Sequence, residues 1–245
     1  MKKLLQLAIA VSLAVPAVAH AGTFDIHVGG ICSTDFGTTL GHWAGETSVN
    51  AQIDQRESMA AATTQMTATL NQFCTGNNLC FVYVYSNGGA VMSRTLSLVS
   101  TDWNIAYVAA AASNEGGSEI GGTGFIGEVF GGCDLAGHIG VSDHRNGWNH
   151  NVNHGIVTGM VAGDGNLAPF IQSAILPGHD DGAVSEASAG GYAQAGSHSS
   201  ICEAGTKYAD HQAWFSCEYP DLNHLDMKLK MICDDGGLTT GCPGD

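Results

Sequence analysis

Basic residues are scarce in this chain. Its 245 residues include 8 Lys and Arg against 23 Asp and Glu, which gives a formal net charge of −15 at pH 7. Proteins that bind nucleic acid or anionic membrane surfaces use clusters of Lys and Arg to neutralise phosphate groups. The charge balance therefore argues against nucleic acid and against charged lipid surfaces as partners, and it leaves the oligomeric state undetermined.

Long apolar runs are also missing after the first 20 residues. Lys2 and Lys3 precede an apolar run from Leu4 to Val18, and Ala19-His20-Ala21 has the small-x-small pattern of a cleavage site. This pattern predicts a secretory signal peptide over residues 1–21. No later stretch reaches the roughly 20 apolar residues that a membrane span requires. We therefore predict a single domain over residues 22–245, secreted to the extracellular space or periplasm without stable insertion into a membrane.

The eight cysteines include no Cys-x-x-Cys pair, which argues against a zinc site. In an exported protein they indicate a disulfide framework. Sequence does not determine the connectivity, but the short separations make Cys74–Cys80, Cys202–Cys217 and Cys233–Cys242 plausible local bridges. Cys32 would then pair with Cys133.

The most informative stretch is a strand-like run that ends abruptly in a serine and two glycines. Phe81 to Tyr85 is rich in aromatic and β-branched residues, Ser86-Asn87-Gly88-Gly89 follows, and Ala90 to Val99 has helix-forming residues. A serine between a buried strand and a helix resembles the nucleophile elbow of the α/β-hydrolase fold. Ser86 is therefore the candidate nucleophile. Val84 departs from the family, which usually has a small residue there, and a strand-to-helix turn without catalytic function is the alternative interpretation.

The pattern around this stretch predicts alternating strands and helices. Strands are expected over Thr23–Val28 and Trp103–Ala112, and a helix capped by Thr47 or Ser48 is expected over Thr47–Phe73. Such alternation favours a parallel sheet. The resemblance implies an α/β-hydrolase fold, with a mainly parallel central sheet flanked by helices and a short irregular cap at about 120–154.

In the secreted lipases that this chain resembles, the loop after a glycine-ended first strand carries one backbone donor of the oxyanion hole. Gly29-Gly30 occupies that position here, which makes the Ile31 N–H the expected donor and the Cys32 N–H the near alternative. The second donor is expected to be the N–H of Asn87, directly after the nucleophile.

Four histidines, His138, His144, His150 and His154, fall in or at the end of the predicted cap. They form no carboxylate-supported pair at helical spacing, so they are predicted to be exposed loop histidines and no metal site is predicted there.

Two later loops supply candidates for the remaining members of a catalytic triad. Asp181-Gly182-Ala183-Val184 resembles the Asp-Gly-x-Val loop that carries the acid in these lipases, with Asp180 as the second candidate and an ordinary Asp-Gly turn as the alternative. Asn223-His224-Leu225-Asp226 resembles the catalytic histidine loop of secreted bacterial triacylglycerol lipases. The order Ser86, Asp181, His224 is the order of the α/β-hydrolase triad.

In that family the residue at Asp226 can help bind a structural calcium. No partner ligands are identifiable in the sequence, so no cofactor is predicted.

Together these motifs predict a secreted serine hydrolase of the lipase or esterase type, acting on small-molecule or lipid carboxylic esters. The alternatives are a non-catalytic binding domain on a hydrolase scaffold, and a polyester depolymerase or amidase with the same triad. Val84 and the Glu115-Gly116-Gly117-Ser118 stretch, which matches the family only in part, favour the binding domain.

Overall fold

The computed structural model describes residues 22–99, 102–121, 132–165, 176, 178–189, 202–204, 214–237 and 241–243. The predicted signal peptide, residues 1–21, lies outside the described residues. Within the described ranges, no helix has both the length and the apolar character needed to cross a membrane.

The core of the chain is a seven-stranded sheet in the order β2-β1-β3-β4-β5-β7-β6. All neighbouring strands are parallel except β6, which runs antiparallel to β7 at the edge. The strands are β1 (Thr23–Val28), β2 (Thr47–Asn50), β3 (Leu79–Tyr85), β4 (Ile105–Ala111), β5 (Val157–Asp164), β6 (Cys202–Ala204) and β7 (Trp214–Pro220).

Helices connect and cover the strands. They are α1 (Met59–Phe73), α2 (Asn87–Leu98), α3 (Val141–Arg145), α4 (Glu186–Ala189) and α5 (His224–Asp234), with a 3₁₀ helix over Asp134–His138. Two apolar clusters lie on opposite sides of the sheet. One joins Ile26, Val82 and Val84 to α1 and α2, and the other joins Tyr85 and Ala111 to α5. Alternate residues of β3 therefore face different helices, as expected for a strand buried on both faces.

The prediction of a helix starting at Thr47 was wrong for its first twelve residues. Thr47–Asn50 is strand β2, parallel to β1, and α1 begins only at Met59, where the Ser58 hydroxyl accepts from the Ala61 N–H at 3.2 Å. The apolar residues 49 and 53 suggested helical spacing, but Ala51 and Ile53 are buried on either side of the exposed Gln52. Burial of every second residue is the period of an extended chain.

Three of the four predicted disulfides are confirmed: Cys32–Cys133, Cys74–Cys80 and Cys233–Cys242. The side chains of Cys202 and Cys217 lie outside the described part of the structure, although their backbones are register partners between β6 and β7. Cys32–Cys133 joins residues 101 positions apart and ties the loop after β1 to the predicted cap region.

The prediction that the cap histidines are exposed was wrong for two of them. His144 is 1% exposed and its Nδ1 lies 2.8 Å from the Asn114 carbonyl oxygen, while His150 is 4% exposed and its Nδ1 lies 3.0 Å from a Glu115 carboxylate oxygen. Burial lowers the pKa of His144 to about 4, so the ring is neutral near pH 7. These side chains attach the described part of residues 120–154 to the end of β4.

Candidate active site

The candidate residues lie beyond the carboxyl ends of parallel strands. Ser86 directly follows β3, the loop with Gly30 and Ile31 follows β1, and His224 lies four residues after β7. Since β1, β3, β4, β5 and β7 are parallel, these ends share one edge of the sheet, where ligands bind in open α/β sheets.

Ser86 is held in an unusual backbone conformation. Ser86 lies between the last residue of β3 and the first residue of α2. Its φ of 53° and ψ of −128° are dihedral angles that L-residues rarely adopt. The turn is tight, because a Cβ at Gly30 would lie 2.8 Å from the Ser86 Cβ and 3.1 Å from its Oγ. A non-glycine residue held at such dihedrals typically marks a functional site, and here the conformation projects the hydroxyl out of the strand-to-helix turn.

Val84 does not prevent this turn. Its side chain is fully buried in the apolar cluster beneath α1 and α2, beside its register partners Val28 and Ala110. The space for the tight approach comes from other residues: Gly88 packs against the Val28 and Gly29 carbonyls, and Gly89 packs against Ser113.

His224 is the first residue of α5, and the helix start is strongly capped. The Asn223 side chain accepts from the N–H groups of Leu225 and Asp226, while the Asp226 carboxylate accepts from the Asn223 N–H at 3.3 Å. This reciprocal arrangement is a capping box, which fixes where the helix begins. The Tyr85 hydroxyl donates to the His224 carbonyl at 3.0 Å, and burial holds the pKa of Tyr85 well above its ordinary value, so the phenol remains a donor.

Asp181 is fully buried beside this histidine. Its Oδ1 accepts from the N–H groups of Ala183 and Val184 at 2.9 and 2.8 Å, its backbone carbonyl accepts from the His224 N–H, and its Oδ2 lies 2.8 Å from His224 Nδ1. The second candidate acid, Asp180, instead accepts from the Gly182 N–H. Burial raises the pKa of Asp180 to about 6.

The structure brings Ser86, His224 and Asp181 into one hydrogen-bonded chain. His224 Nε2 lies 3.0 Å from Ser86 Oγ on one side of the ring, and Nδ1 faces the Asp181 carboxylate on the other. Because a carboxylate only accepts, Nδ1 carries the proton and Nε2 is left to accept from the serine hydroxyl. The three side chains are 4%, 1% and 0% exposed, so these bonds lie in a low-dielectric environment that strengthens them.

Of the two predicted oxyanion donors, Ile31 lies on the loop after β1, beside Gly30, and Asn87 is the first residue of α2, directly after Ser86. Among the hydrogen bonds of the described residues, none uses the N–H of Ile31 or of Asn87. The N–H of Cys32, the near alternative, donates to the Gln55 carbonyl at 3.1 Å. Among the described residues, the Cys32 N–H is therefore already hydrogen-bonded, whereas the Ile31 N–H is unpaired.

The Asp226 side chain is already hydrogen-bonded at the start of α5. Its carboxylate caps α5, and within the described ranges no three His, Cys, Asp or Glu side chains lie close enough together to hold a metal ion. Calcium requires 6–8 oxygen ligands.

Two residues of this region were missed in the sequence. The sequence predicts only a strand at Tyr85, and it predicts a helix interior at Gln55, which is fully buried next to Asn87. The capping box at Asn223 had a readable signal, since Asn-x-x-Asp is a helix-start pattern. No sequence signal marked Gln55.

No family model and no curated protein sequence matches the chain. Solved structures do. The mature form of the lipase BlEst2 from Bacillus licheniformis matches with a TM-score of 0.57 and 13% identity over 84% of this chain and 86% of that chain. The metagenomic carboxyl esterase MGS0156 matches with a TM-score of 0.57 and 14% identity over 85% of this chain and 66% of that chain. Phospholipase PlaB from Legionella pneumophila, in complex with thio-NAD, matches with a TM-score of 0.51 and 13% identity over 69% of this chain and 44% of that chain.

At these identities the comparison establishes the fold. The chain has the α/β-hydrolase fold, and the predicted fold class is confirmed.

Proposed function

We propose that this protein is a serine hydrolase of carboxylic esters that uses Ser86, His224 and Asp181 as a catalytic triad. The observation that carries the proposal is the continuous hydrogen-bonded chain from the Ser86 hydroxyl through both ring nitrogens of His224 to the Asp181 carboxylate. The structural neighbours named as lipase, carboxyl esterase and phospholipase support an ester as the substrate class.

The reaction follows from the properties of the three side chains. A serine hydroxyl is a weak nucleophile at neutral pH, so His224 Nε2 accepts its proton as Ser86 Oγ attacks the ester carbonyl carbon. Asp181 keeps the proton on Nδ1 and stabilises the imidazolium. His224 then protonates the departing alcohol oxygen, which leaves an acyl group on Ser86. A water molecule, deprotonated by His224, releases this group as the carboxylic acid.

The tetrahedral intermediates place a negative charge on the former carbonyl oxygen. We assign the Ile31 and Asn87 N–H groups to bind this oxygen, because they flank Ser86 and make no other hydrogen bond among the described residues. Each donor of this kind is typically worth about 2.7–4 kcal/mol of transition-state stabilisation.

We further propose that the enzyme acts outside the cytoplasm. The signal-peptide pattern over residues 1–21 and the three disulfides support export, since disulfides persist in oxidising compartments. Nothing in the composition indicates a nucleic acid as a partner.

The test uses the mature chain and a fluorophosphonate probe, which bonds covalently to activated serines. Labelling of the wild-type protein and its loss in Ser86→Ala are expected, together with hydrolysis of short p-nitrophenyl esters by the wild type alone. Folded wild-type protein that neither labels nor hydrolyses esters would contradict the proposal and favour the non-catalytic binding domain. Labelling together with turnover of amides but not of esters would keep the triad and overturn the assigned substrate class, whereas turnover of polyesters alone would keep the class and replace the small-molecule substrate by a polymer.

A further inference from the structure

Gln55 connects the loop after β1 to the first residue of α2, the two segments that flank the candidate nucleophile. It lies in the extended segment between β2 and α1, and its side chain is fully buried. Its Nε2 donates to the Gly29 carbonyl at 2.5 Å, and its Oε1 accepts from the Asn87 Nδ2 at 2.9 Å. Gly29 lies on the loop after β1 and Asn87 is the first residue of α2, so a single amide joins both segments.

The orientation of this amide is fixed by its neighbours. The Gly29 carbonyl can only accept, so the Gln55 NH₂ group must face it, and the Gln55 oxygen must then face Asn87. The Asn87 NH₂ group is accordingly the donor, and it also lies 3.4 Å from the Met59 sulfur. A carboxylate at position 55 would leave an acceptor facing an acceptor at Gly29.

The backbone of Gln55 holds the same loop from its other side. The Gln55 carbonyl accepts from the Cys32 N–H at 3.1 Å, and the Gln55 N–H donates to the Ser33 carbonyl at 2.8 Å. Gln55 therefore holds the chain on both sides of Ile31. Its side chain bonds to Gly29, before Ile31, and its backbone bonds to Cys32 and Ser33, after Ile31.

These contacts surround both N–H groups assigned to the oxyanion. We infer that Gln55 is a positioning residue that sets the distance between the Ile31 N–H and the Asn87 N–H. The inference rests on the proposed function. It acts through geometry, because donors must lie about 2.7–3.1 Å from the oxyanion to stabilise it, and a displacement of about 1 Å can cost about 100-fold in rate.

The test compares Gln55→Glu with a matched control, Gln52→Glu. Gln55→Glu keeps the size of the side chain and its acceptor for Asn87 but removes the donor to Gly29. Gln52 is exposed and lies three residues away, so its replacement introduces the same charge without contacting the loop after β1 or the start of α2. We expect kcat for a p-nitrophenyl ester to fall on the order of 10- to 100-fold in Gln55→Glu, with KM nearly unchanged, and no change in Gln52→Glu.

A second readout separates positioning from general loss of structure. Phenylboronic acid forms a tetrahedral adduct with an active serine, and its affinity should fall by about the same factor as kcat, because the adduct oxygen uses the same two donors. The ratio of wild-type to Gln55→Glu kcat should also shrink as pH falls, since the introduced carboxyl group, once protonated, again has a donor for the Gly29 carbonyl. Near-ultraviolet circular dichroism at each pH establishes that both proteins are folded.

Gln55→Met provides the uncharged comparison if the buried carboxylate prevents folding. It removes both side-chain hydrogen bonds, and the same fall in kcat and in boronate affinity is expected. Folded Gln55→Met protein with wild-type kcat and boronate affinity would overturn the inference, and so would Gln55→Glu protein that keeps both values at a pH where its carboxyl group is ionised. Failure of the proposed function is distinct, because it would appear as an inactive wild type or as full activity in Ser86→Ala.

Discussion

Oδ2 of Asp181 lies 2.8 Å from Nδ1 of His224, while Oδ1 of the same carboxylate accepts two backbone N–H groups. The carboxylate thus has one oxygen committed to the protein backbone and the other to the imidazole. The neighbouring carboxylate, Asp180, accepts from the Gly182 N–H instead of contacting the His224 ring, so substitutions at the two adjacent positions can be compared directly.

Asp181→Asn should therefore lower kcat by about 10³- to 10⁴-fold, because an amide NH₂ facing Nδ1 selects the wrong imidazole tautomer. Asp180→Asn is the control, since an asparagine oxygen can still accept from the Gly182 N–H, and its kcat should stay close to that of the wild type. Ester hydrolysis by the two purified variants measures both values. Equal losses in the two variants would argue against Asp181 as the triad acid.

Gly30→Ala should disrupt the approach of the β1 loop to the nucleophile. The added methyl group would lie 2.8 Å from the Ser86 Cβ, so either the loop or the serine must move, and a shift of this kind costs roughly 100-fold in kcat/KM. Gly137→Ala is the control, because a Cβ at Gly137 meets no atom within 4 Å. Steady-state kinetics and thermal unfolding of both variants test the prediction, which fails if Gly30→Ala retains full activity.

The Cys32–Cys133 bridge should matter for both stability and catalysis. It closes a loop of 101 residues, for which chain entropy predicts about 4.7 kcal/mol, against about 2 kcal/mol for the six-residue loop of Cys74–Cys80. Replacing each pair by alanine should therefore lower the free energy of unfolding more for Cys32–Cys133. Of these two bridges, only Cys32–Cys133 includes a residue next to Ile31. Its removal should therefore also lower kcat, whereas removal of Cys74–Cys80 should not, at a temperature where both variants are folded. Urea unfolding and ester hydrolysis measure the two effects, and equal kcat values for the two variants would contradict the second.

Asp25 should make stability depend on pH. It is buried in β1, and burial, with Glu46 and Asp235 nearby, raises its pKa from 3.8 to about 8. Between these values the folded protein binds more protons than the unfolded chain, so the wild type should lose stability relative to Asp25→Asn as pH rises from about 4 to about 8.

Urea unfolding of both proteins at pH 5 and pH 8.5 measures this difference. Asp54→Asn is the control. The hydrogen bond from Arg56 lowers the pKa of Asp54, so Asp54 is ionised in both the folded and unfolded states over this range. The difference between Asp54→Asn and the wild type should not change between the two pH values. A constant difference for Asp25→Asn as well would show that Asp25 does not titrate in this range.

The sequence identified the features that depend on local chemistry. The strand-turn-helix around Ser86 is visible because buried strands and glycine turns have distinct compositions, and the loops of Asp181 and His224 have short recognisable patterns. These predicted residues meet in space, although nothing in their sequence spacing of 95 and 43 positions specifies that contact.

The errors fell where long-range contacts decide the structure. The segment over Thr47–Asn50 became an edge strand because β1 offers it a parallel partner 23 residues earlier, which its own pattern did not reveal. His144 and His150 are buried because their partners, Asn114 and Glu115, lie at the end of a different strand. Gln55 was missed for the same reason, since its side chain bonds to Gly29 and Asn87, which are distant from it in sequence.

The shared direction of β1, β3 and β7 also determines how this molecule can be attached to a surface. Thr23 begins β1 at the end of the strand opposite the one that leads to Gly30 and Ser86. A tether fused ahead of Gly22 would therefore hold the protein with Ser86 turned outward. Immobilised or displayed in this way, the protein would leave the approach to Ser86 unobstructed by its own support.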